Sequence, residues 1–94
     1  MLHQEIEHKF SPGRLMITPG ARAELTDNDV TRALARHLKG DWGELNEQDR
    51  SENERSLKQG FRLLSAYTSE NGTKFWIITE EDRSLTTLML PHEY

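Results

Sequence analysis

Three side chains of this sequence are of the types that a metal-independent ribonuclease uses, namely His37, Asp49 and Arg62. A histidine can act as the general base, a carboxyl group as the acid, and a guanidinium group can bind the phosphate. Their spacing matches no diagnostic pattern, so they are catalytic candidates only if the fold brings them to one cleft. An ion pair between Asp49 and Arg62 explains two of them without any catalysis.

A second candidate is the segment RHLKGDWG, residues 36–43, in which His37 precedes Asp41 by four residues. These two could be a base with its orienting carboxylate, or two metal ligands. No further ligand follows at a metal-binding spacing, so neither a metal nor a cofactor is predicted. The simpler interpretation places a cationic His37 at the negative end of a helix dipole and lets Asp41 cap a turn. Trp42 is then a buried anchor, because an indole can bury on the order of 200 Å².

Acidic residues indicate a possible surface for a basic protein partner. Glu80, Glu81 and Asp82 follow one predicted strand, and residues 44–54 are also rich in acids. Such a surface could attract a nucleic-acid-handling protein, or it could simply be solvated. If a partner binds, the predicted contacts are Asp41, Trp42, Glu80, Asp82 and Arg83.

Length and composition limit the fold and the function. The 94 residues allow one domain with a modest core, and the chain has no cysteine for disulfides or thiolate zinc sites. Residues 1–9 are predicted to form a flexible arm and residues 10–94 a single domain. The net charge of −4 argues against generic nucleic-acid binding, which needs dense Lys and Arg. No signal peptide or membrane span is recognisable, so a cytoplasmic protein without membrane association is expected. The oligomeric state is left open.

Two helices are predicted in the first half of the chain. Thr18-Pro19 suits the start of a short helix that ends near residue 25. Residues 26–29 offer N-caps for a second helix, and Gly40 is placed to end that helix in a left-handed conformation. The apolar stripe of the second helix consists of Val30, Ala33, Leu34 and Leu38.

A third helix is predicted over residues 44–59, where strong helix formers occur almost without an apolar stripe. Such a helix is either solvated and held by its ends, or its Asp49 and Asn53 enter a polar network.

The remaining elements are strands. A short strand is predicted at residues 14–18, and residues 61–68, 74–79 and 84–90 predict a three-stranded meander with an Asn-Gly turn after the first strand. The predicted class is α+β, with two or three helices on one face of an antiparallel sheet. Trp42 and Trp76 are both expected to be buried, because the chain has few other large apolar side chains.

Several motifs between about Phe10 and Tyr94 resemble one protein family. They are Arg36-His37, Gly40-Asp41-Trp42-Gly43, residues 60–67, residues 76–80, Asp82-Arg83-Ser84 and Leu90-Pro91. The set is similar to a family of small proteins carried on plasmids and integrative elements of proteobacteria. The resemblance implies association with a mobile element and no established activity.

Some relatives in that family carry the labels "plasmid-related protein" or "type I restriction endonuclease subunit M". This chain is too short for a cofactor-binding α/β domain and lacks its glycine-rich strand-to-helix loop, so methyltransferase activity is not predicted. The prediction is a non-enzymatic accessory or interaction protein. The alternative is a small metal-independent ribonuclease or toxin-like enzyme using His37, Asp49 and Arg62.

Overall fold

Every α-helix begins at a residue whose side chain caps it. The computed structural model describes residues 8–94, with helices α1 (Pro19–Glu24), α2 (Asp27–Leu38) and α3 (Glu47–Gln59). Thr18 caps α1, and Thr26 caps α2 through a reciprocal pair of hydrogen bonds with Asp29. Asn46 caps α3, which therefore begins three residues later than predicted. These caps accept from backbone N–H groups that have no partner inside the helix.

The sheet has four strands in the order β1-β4-β3-β2. Strands β2 (Leu63–Thr68), β3 (Lys74–Thr79) and β4 (Leu85–Met89) are antiparallel neighbours, whereas β1 (Arg14–Ile17) pairs with β4 in parallel. The α+β class is confirmed. The prediction of a wholly antiparallel sheet is wrong. The meander leaves one side of β4 without a neighbour, and β1, from the other end of the chain, pairs there in parallel.

The two faces of the sheet differ in burial. We call inner face the one that contains Leu63, Ser65, Tyr67, Phe75, Ile77, Thr79, Thr86 and Leu88, all of which are buried. The core includes Ala33 of α2 together with Tyr67, Phe75, Ile77, Leu88 and Leu90. Helix α2 thus lies on the inner face, where Ala33 is buried and Val30 is partly buried against the core.

The opposite, outer face carries Trp76 at the middle of β3. Trp76 is half-buried rather than buried, and its ring lies 5.8 Å from that of Tyr94, which follows the 3₁₀-helix Pro91–Glu93. Trp42, in contrast, is 2% exposed. The expectation of burial is therefore confirmed for Trp42 and only partly met by Trp76.

The β2 edge of the sheet is closed by the chain itself. The Asn53 side chain donates to Leu64 O at 2.5 Å and accepts from Leu64 N at 3.2 Å. Two residues further along, Glu44 N donates to Ala66 O at 2.8 Å, and Ala66 N donates to Trp42 O at 3.2 Å. Backbone groups of an edge strand readily pair with other chains, so these contacts protect the edge. Of the polar network that was one of two alternatives for α3, Asn53 takes part as expected, whereas Asp49 is exposed.

The β1 edge is open within residues 8–94. Arg14 N and Thr18 N bond to the β4 side of the sheet, so the backbone groups of Leu15 and Ile17 point away from it. No hydrogen bond among the described residues reaches those groups. Leu15 is 49% exposed and Met16 is 48% exposed. The open edge therefore carries bare backbone groups together with exposed apolar side chains.

Two further predictions concern the N-terminal arm and membrane association. The predicted flexible arm falls mostly on residues 1–7, which lie outside the described residues. Lys9, also assigned to the arm, donates its N–H to Leu38 O at 2.8 Å. In the part of the chain that the structure describes, no helix has the length and apolar character needed to cross a membrane.

Candidate functional site

Helix α2 ends so that His37 projects onto the inner face. Lys39 is the C-cap, Gly40 follows with φ +83°, and Asp41 N donates back to Arg36 O at 2.9 Å. Gly40 thus reverses the chain in a conformation that a side chain disfavours, as predicted. His37 is completely buried, at 0% exposure.

Each strand of the meander presents one hydroxyl group to a single hydrogen-bond chain through His37. Its Nδ1 lies 2.5 Å from Ser65 Oγ on β2, and its Nε2 lies 2.9 Å from Thr79 Oγ1 on β3. Thr79 Oγ1 lies 2.7 Å from Thr86 Oγ1, its partner across β3 and β4. Thr86 Oγ1 donates to Pro12 O at 2.7 Å.

The bond from Thr86 to Pro12 O determines which atom donates in the other hydrogen bonds of this series. A carbonyl oxygen can only accept, so the Thr86 hydroxyl uses its proton on Pro12 and must accept from Thr79. The Thr79 proton is then used as well, so Thr79 must accept from His37 Nε2–H. When the imidazole is neutral, its Nδ1 therefore accepts from Ser65. These bonds assign the neutral Nε2–H tautomer to His37.

Burial reinforces that assignment. It lowers the pKa of His37 from 6.5 to about 3, with a smaller contribution from the positive charge of Arg83. A charged imidazole would also need a second acceptor, which the Ser65 hydroxyl can supply only by turning its own proton elsewhere. The interpretation of His37 as a cation at the helix end is therefore wrong, because its ring lies in the core rather than in solvent.

Aromatic rings close the site on the remaining sides. Phe10 and Trp42 meet the His37 ring edge-on, at 5.2 and 5.8 Å, and are stacked on each other at 6.4 Å. The Arg83 guanidinium lies 5.7 Å from the Phe10 ring centre. A serine beside a histidine is the pair that nucleophilic enzymes use. Here Ser65 and His37 are both 0% exposed, so a substrate has no path to either.

The structure does not bring the three candidate catalytic residues together. Asp49 is exposed in the first turn of α3, where its N–H donates to the Asn46 cap at 2.8 Å. Arg62 is exposed and donates to the hydroxyl of Tyr94, whose ring lies 5.4 Å from the guanidinium carbon. Tyr94 contacts Trp76 on the outer face, so Arg62 and His37 lie on opposite faces of the sheet. No ion pair joins Asp49 to Arg62 among the described residues.

The predicted binding residue Asp41 is engaged within the domain. Its carboxylate accepts from Arg36 at 2.7 and 3.2 Å and from Gly43 N at 3.2 Å. The Arg36 hydrogen bond is the main reason that the pKa of Asp41 lies below its usual range. Tyr67 donates to Asp41 O at 2.7 Å, and Arg36 stacks on the Tyr67 ring. Asp41 therefore caps a turn, as the simpler interpretation predicted.

Trp42, another predicted binding residue, is likewise engaged within the domain. It is buried, and its Nε1–H donates to the Glu54 carboxylate on α3 at 2.8 Å. The next residue, Gly43, has φ +74° and forms an isolated bridge with Ala66. A Cβ atom on Gly43 would lie 2.0 Å from Ala66 O, so only glycine fits. The segment 36–43 ends a helix and anchors a loop to the β2 edge.

Arg83 ties the β3–β4 turn to the end of α3. Its guanidinium donates to four backbone carbonyls, those of Ser56, Phe61, Glu80 and Glu81. Its backbone has φ +61°, in the left-handed region that few side chains adopt. Asp82 accepts from the N–H and the hydroxyl of Ser84, which keeps its carboxylate within the turn and lowers its pKa. Glu80 N donates to Leu85 O, while its side chain is partly exposed.

A shallow pocket between α2 and the β2–β3 hairpin, which does not include His37, has a volume of only about 30 Å³. Its lining includes Asp29, Arg32, Arg36, Tyr67 and Ser69. This space suits a water molecule rather than a substrate. Among the described residues, no group of three His, Asp or Glu side chains is placed to hold a metal ion.

Sequence reasoning singled out His37 but missed its partners. Ser65, Thr79 and Thr86 were not predicted as partners of His37, although each lies on the inner face at an alternating position of its strand. When neighbouring strands each carry a hydroxyl side chain at an inward position, these buried hydroxyl groups need a polar partner in the core, and that requirement could have pointed to His37. The open edge at Leu15 and Ile17 was also missed, because an edge is defined by strand order.

Comparison of the chain with protein-family models, with curated proteins and with solved structures gave no match. The resemblance to a mobile-element family therefore remains an expectation.

Proposed function

We propose that this chain is a non-enzymatic interaction protein, and that it binds protein through the open edge formed by β1. The observation that carries the proposal is the contrast between the two sheet edges. On β2, Asn53 and the segment 42–44 occupy the outward backbone groups of Leu64 and Ala66, whereas on β1 those of Leu15 and Ile17 have no partner within residues 8–94. An unprotected edge beside exposed apolar side chains suits an added strand.

The composition of β1 indicates what the added strand is like. The segment Arg14–Ile17 has one cation and three apolar residues, and no acidic side chain. An extended segment with apolar side chains matches it, since main-chain hydrogen bonds supply affinity and alternate side chains supply specificity. The partner is therefore a protein strand rather than a nucleic acid.

The internal engagement of most of the candidate residues supports a role without catalysis. His37 and Ser65 are fully buried, and Asp41, Asp82 and Arg83 are engaged in turns and loops. We retain from the sequence resemblance the proposal that the chain is an accessory protein of a mobile element. A basic, nucleic-acid-handling host protein as partner is a separate proposal, which rests on the exposed acids of α3, namely Glu47, Asp49, Glu52 and Glu54.

A photo-crosslinking amino acid in place of Met16 tests the binding surface in cells that produce the chain. Phe61 is the matched control, because it is 51% exposed against 48% for Met16 and lies outside the edge strand. We expect protein adducts from position 16 and none from position 61. The additional change Leu15→Pro removes the outward N–H while leaving the β4 bonds of β1 in place, so it is expected to abolish the adducts. Adducts that persist with Leu15→Pro, or equal adducts from both positions, would refute binding by strand addition.

A further inference from the structure

We infer that the strand occupying the open edge is β1 of a second copy of this chain. This assignment rests on the proposed function, since it identifies the partner at the same edge. The two copies of β1 pair antiparallel about a two-fold axis that passes through Met16, and the two sheets join into one.

Among antiparallel registers, this one uses the outward backbone groups of both Leu15 and Ile17. Leu15 and Ile17 point away from β4, one on each side of Met16. With the axis at Met16, Leu15 lies opposite Ile17 of the second copy, and each such pair exchanges both N–H···O bonds. The same placement leaves Met16 facing its own symmetry mate.

The side chains agree with that register. Met16, 48% exposed, meets Met16 of the second copy on the outer face, and Leu15, 49% exposed, meets Ile17 on the other face. Arg14 lies opposite Thr18 of the second copy, so the cation does not face another cation. The pairing therefore covers apolar surface without opposing like charges.

The closed β2 edge limits the assembly to two copies. A sheet with two open edges could add strands without end, whereas here Asn53 and the segment 42–44 block one edge. An isologous contact through β1 uses the same patch on both chains and leaves no second open edge. Because β1 has only four residues, the contact is small and the dimer is expected to be weak and concentration-dependent.

Sedimentation equilibrium between about 10 µM and 1 mM protein tests the dimer. We expect the average mass of the wild-type chain to rise from one copy toward two, and no further. Met16→Lys places two cations against each other at the axis, so this variant is expected to remain monomeric. Phe61→Lys, a change of the same chemistry at a similarly exposed site, is expected to behave as wild type. Circular dichroism establishes that both variants are folded.

A charge-reversed pair tests the register itself. Met16→Glu alone is expected to remain monomeric, whereas an equimolar mixture with Met16→Lys is expected to dimerise, since opposite charges then face each other at the axis. Amide hydrogen exchange adds residue detail. Protection of the Leu15 and Ile17 amides is expected to increase with concentration, and that of Met16, whose N–H faces β4, to remain unchanged.

A wild-type chain that remains monomeric at 1 mM overturns this inference. So does a dimer that survives Met16→Lys, or one that leaves the exchange of Leu15 and Ile17 unchanged. The crosslinking experiment separates this failure from failure of the proposed function. Adducts at position 16 that contain a different protein, and are lost with Leu15→Pro, leave the proposed function intact and reject the second copy. No protein adduct of any kind rejects both.

Discussion

His37 Nδ1 lies 2.5 Å from Ser65 Oγ, and both residues are completely buried. The pair has the residue types of a catalytic dyad. However, the serine donates to the imidazole as part of a series of hydrogen bonds that continues through Thr79 and Thr86 to Pro12 O. Every polar atom of His37 is satisfied inside the domain. This arrangement holds α2 to three strands at once, which is a structural role.

The tautomer of His37 can be observed directly. We expect long-range ¹H–¹⁵N spectra to show a protonated Nε2 and an unprotonated Nδ1, because Thr86 must donate to Pro12. The signals are expected to remain unchanged from pH 8 down to pH 5, since burial lowers the pKa of His37 to about 3. A protonated Nδ1, or titration near pH 6.5, would contradict the hydrogen-bond direction.

The low pKa of His37 also predicts how stability depends on pH. The unfolded chain takes up this proton near pH 6.5 and the folded chain only near pH 3, so the unfolded state binds more protons between those values. Stability is therefore full above pH 6.5 and is lost as the pH falls toward 3. Between pH 7.5 and pH 5 we expect the free energy of unfolding to fall by about 2 kcal/mol.

Urea unfolding at the two pH values measures this loss. The control is a variant in which the other three histidines, His3, His8 and His92, are replaced by glutamine. It is expected to keep the same pH dependence, because His37 is then the sole histidine. If the control variant is equally stable at pH 7.5 and pH 5, the buried neutral histidine is not the cause.

Two glycines with similar φ provide a matched test of the loop at the β2 edge. Gly43 has φ +74° and Gly60 has φ +79°, but a Cβ atom on Gly60 meets nothing within 4 Å, whereas on Gly43 it would lie 2.0 Å from Ala66 O. Gly60→Ala is expected to cost about 1–2 kcal/mol, the cost of the left-handed conformation alone. Gly43→Ala is expected to cost at least about 4 kcal/mol or to prevent folding. Thermal unfolding compares them, and equal losses would mean that the bridge to Ala66 does not constrain the loop.

Asn53→Ala opens the protected edge of the sheet. Without the side-chain amide, the N–H and C=O of Leu64 lose their partners, at a cost of roughly 1–3 kcal/mol. We also expect concentration-dependent aggregation, because the β2 edge becomes available to other chains. Chemical denaturation and light scattering measure the two effects. Glu52→Ala, an exposed neighbour on α3, is the control and is expected to change neither.

Trp42→Ala tests whether the segment 36–43 is an anchor. Trp42 is 2% exposed and contacts His37, Phe10 and Glu54, so its removal is expected to cost about 3–5 kcal/mol and could unfold the domain. Trp76→Ala is the comparison, with a smaller expected loss because Trp76 is half-buried. An unchanged melting temperature combined with loss of partner binding would identify the segment as a recognition loop instead.

The local features of the fold could be predicted from the sequence. Thr18 and Thr26 cap helices, Gly40 ends α2, and alternation identifies the meander, whereas the cap at Asn46 was not predicted. Each of these depends on residues within about one helical turn or one hairpin of each other, so the physical cause is contained in a short segment.

The site and the sheet edges were decided only by the tertiary structure. His37 meets Ser65 and Thr79 across separations of 28 and 42 residues, and β1 pairs with β4 from the opposite end of the chain. Which hydroxyl meets the imidazole, and which strand is left at an edge, depend on strand order. Many strand orders bury the same apolar faces, so residue types and periodicity alone do not distinguish them. The same sequence pattern is thus compatible with an accessible histidine and with the buried one that this fold contains.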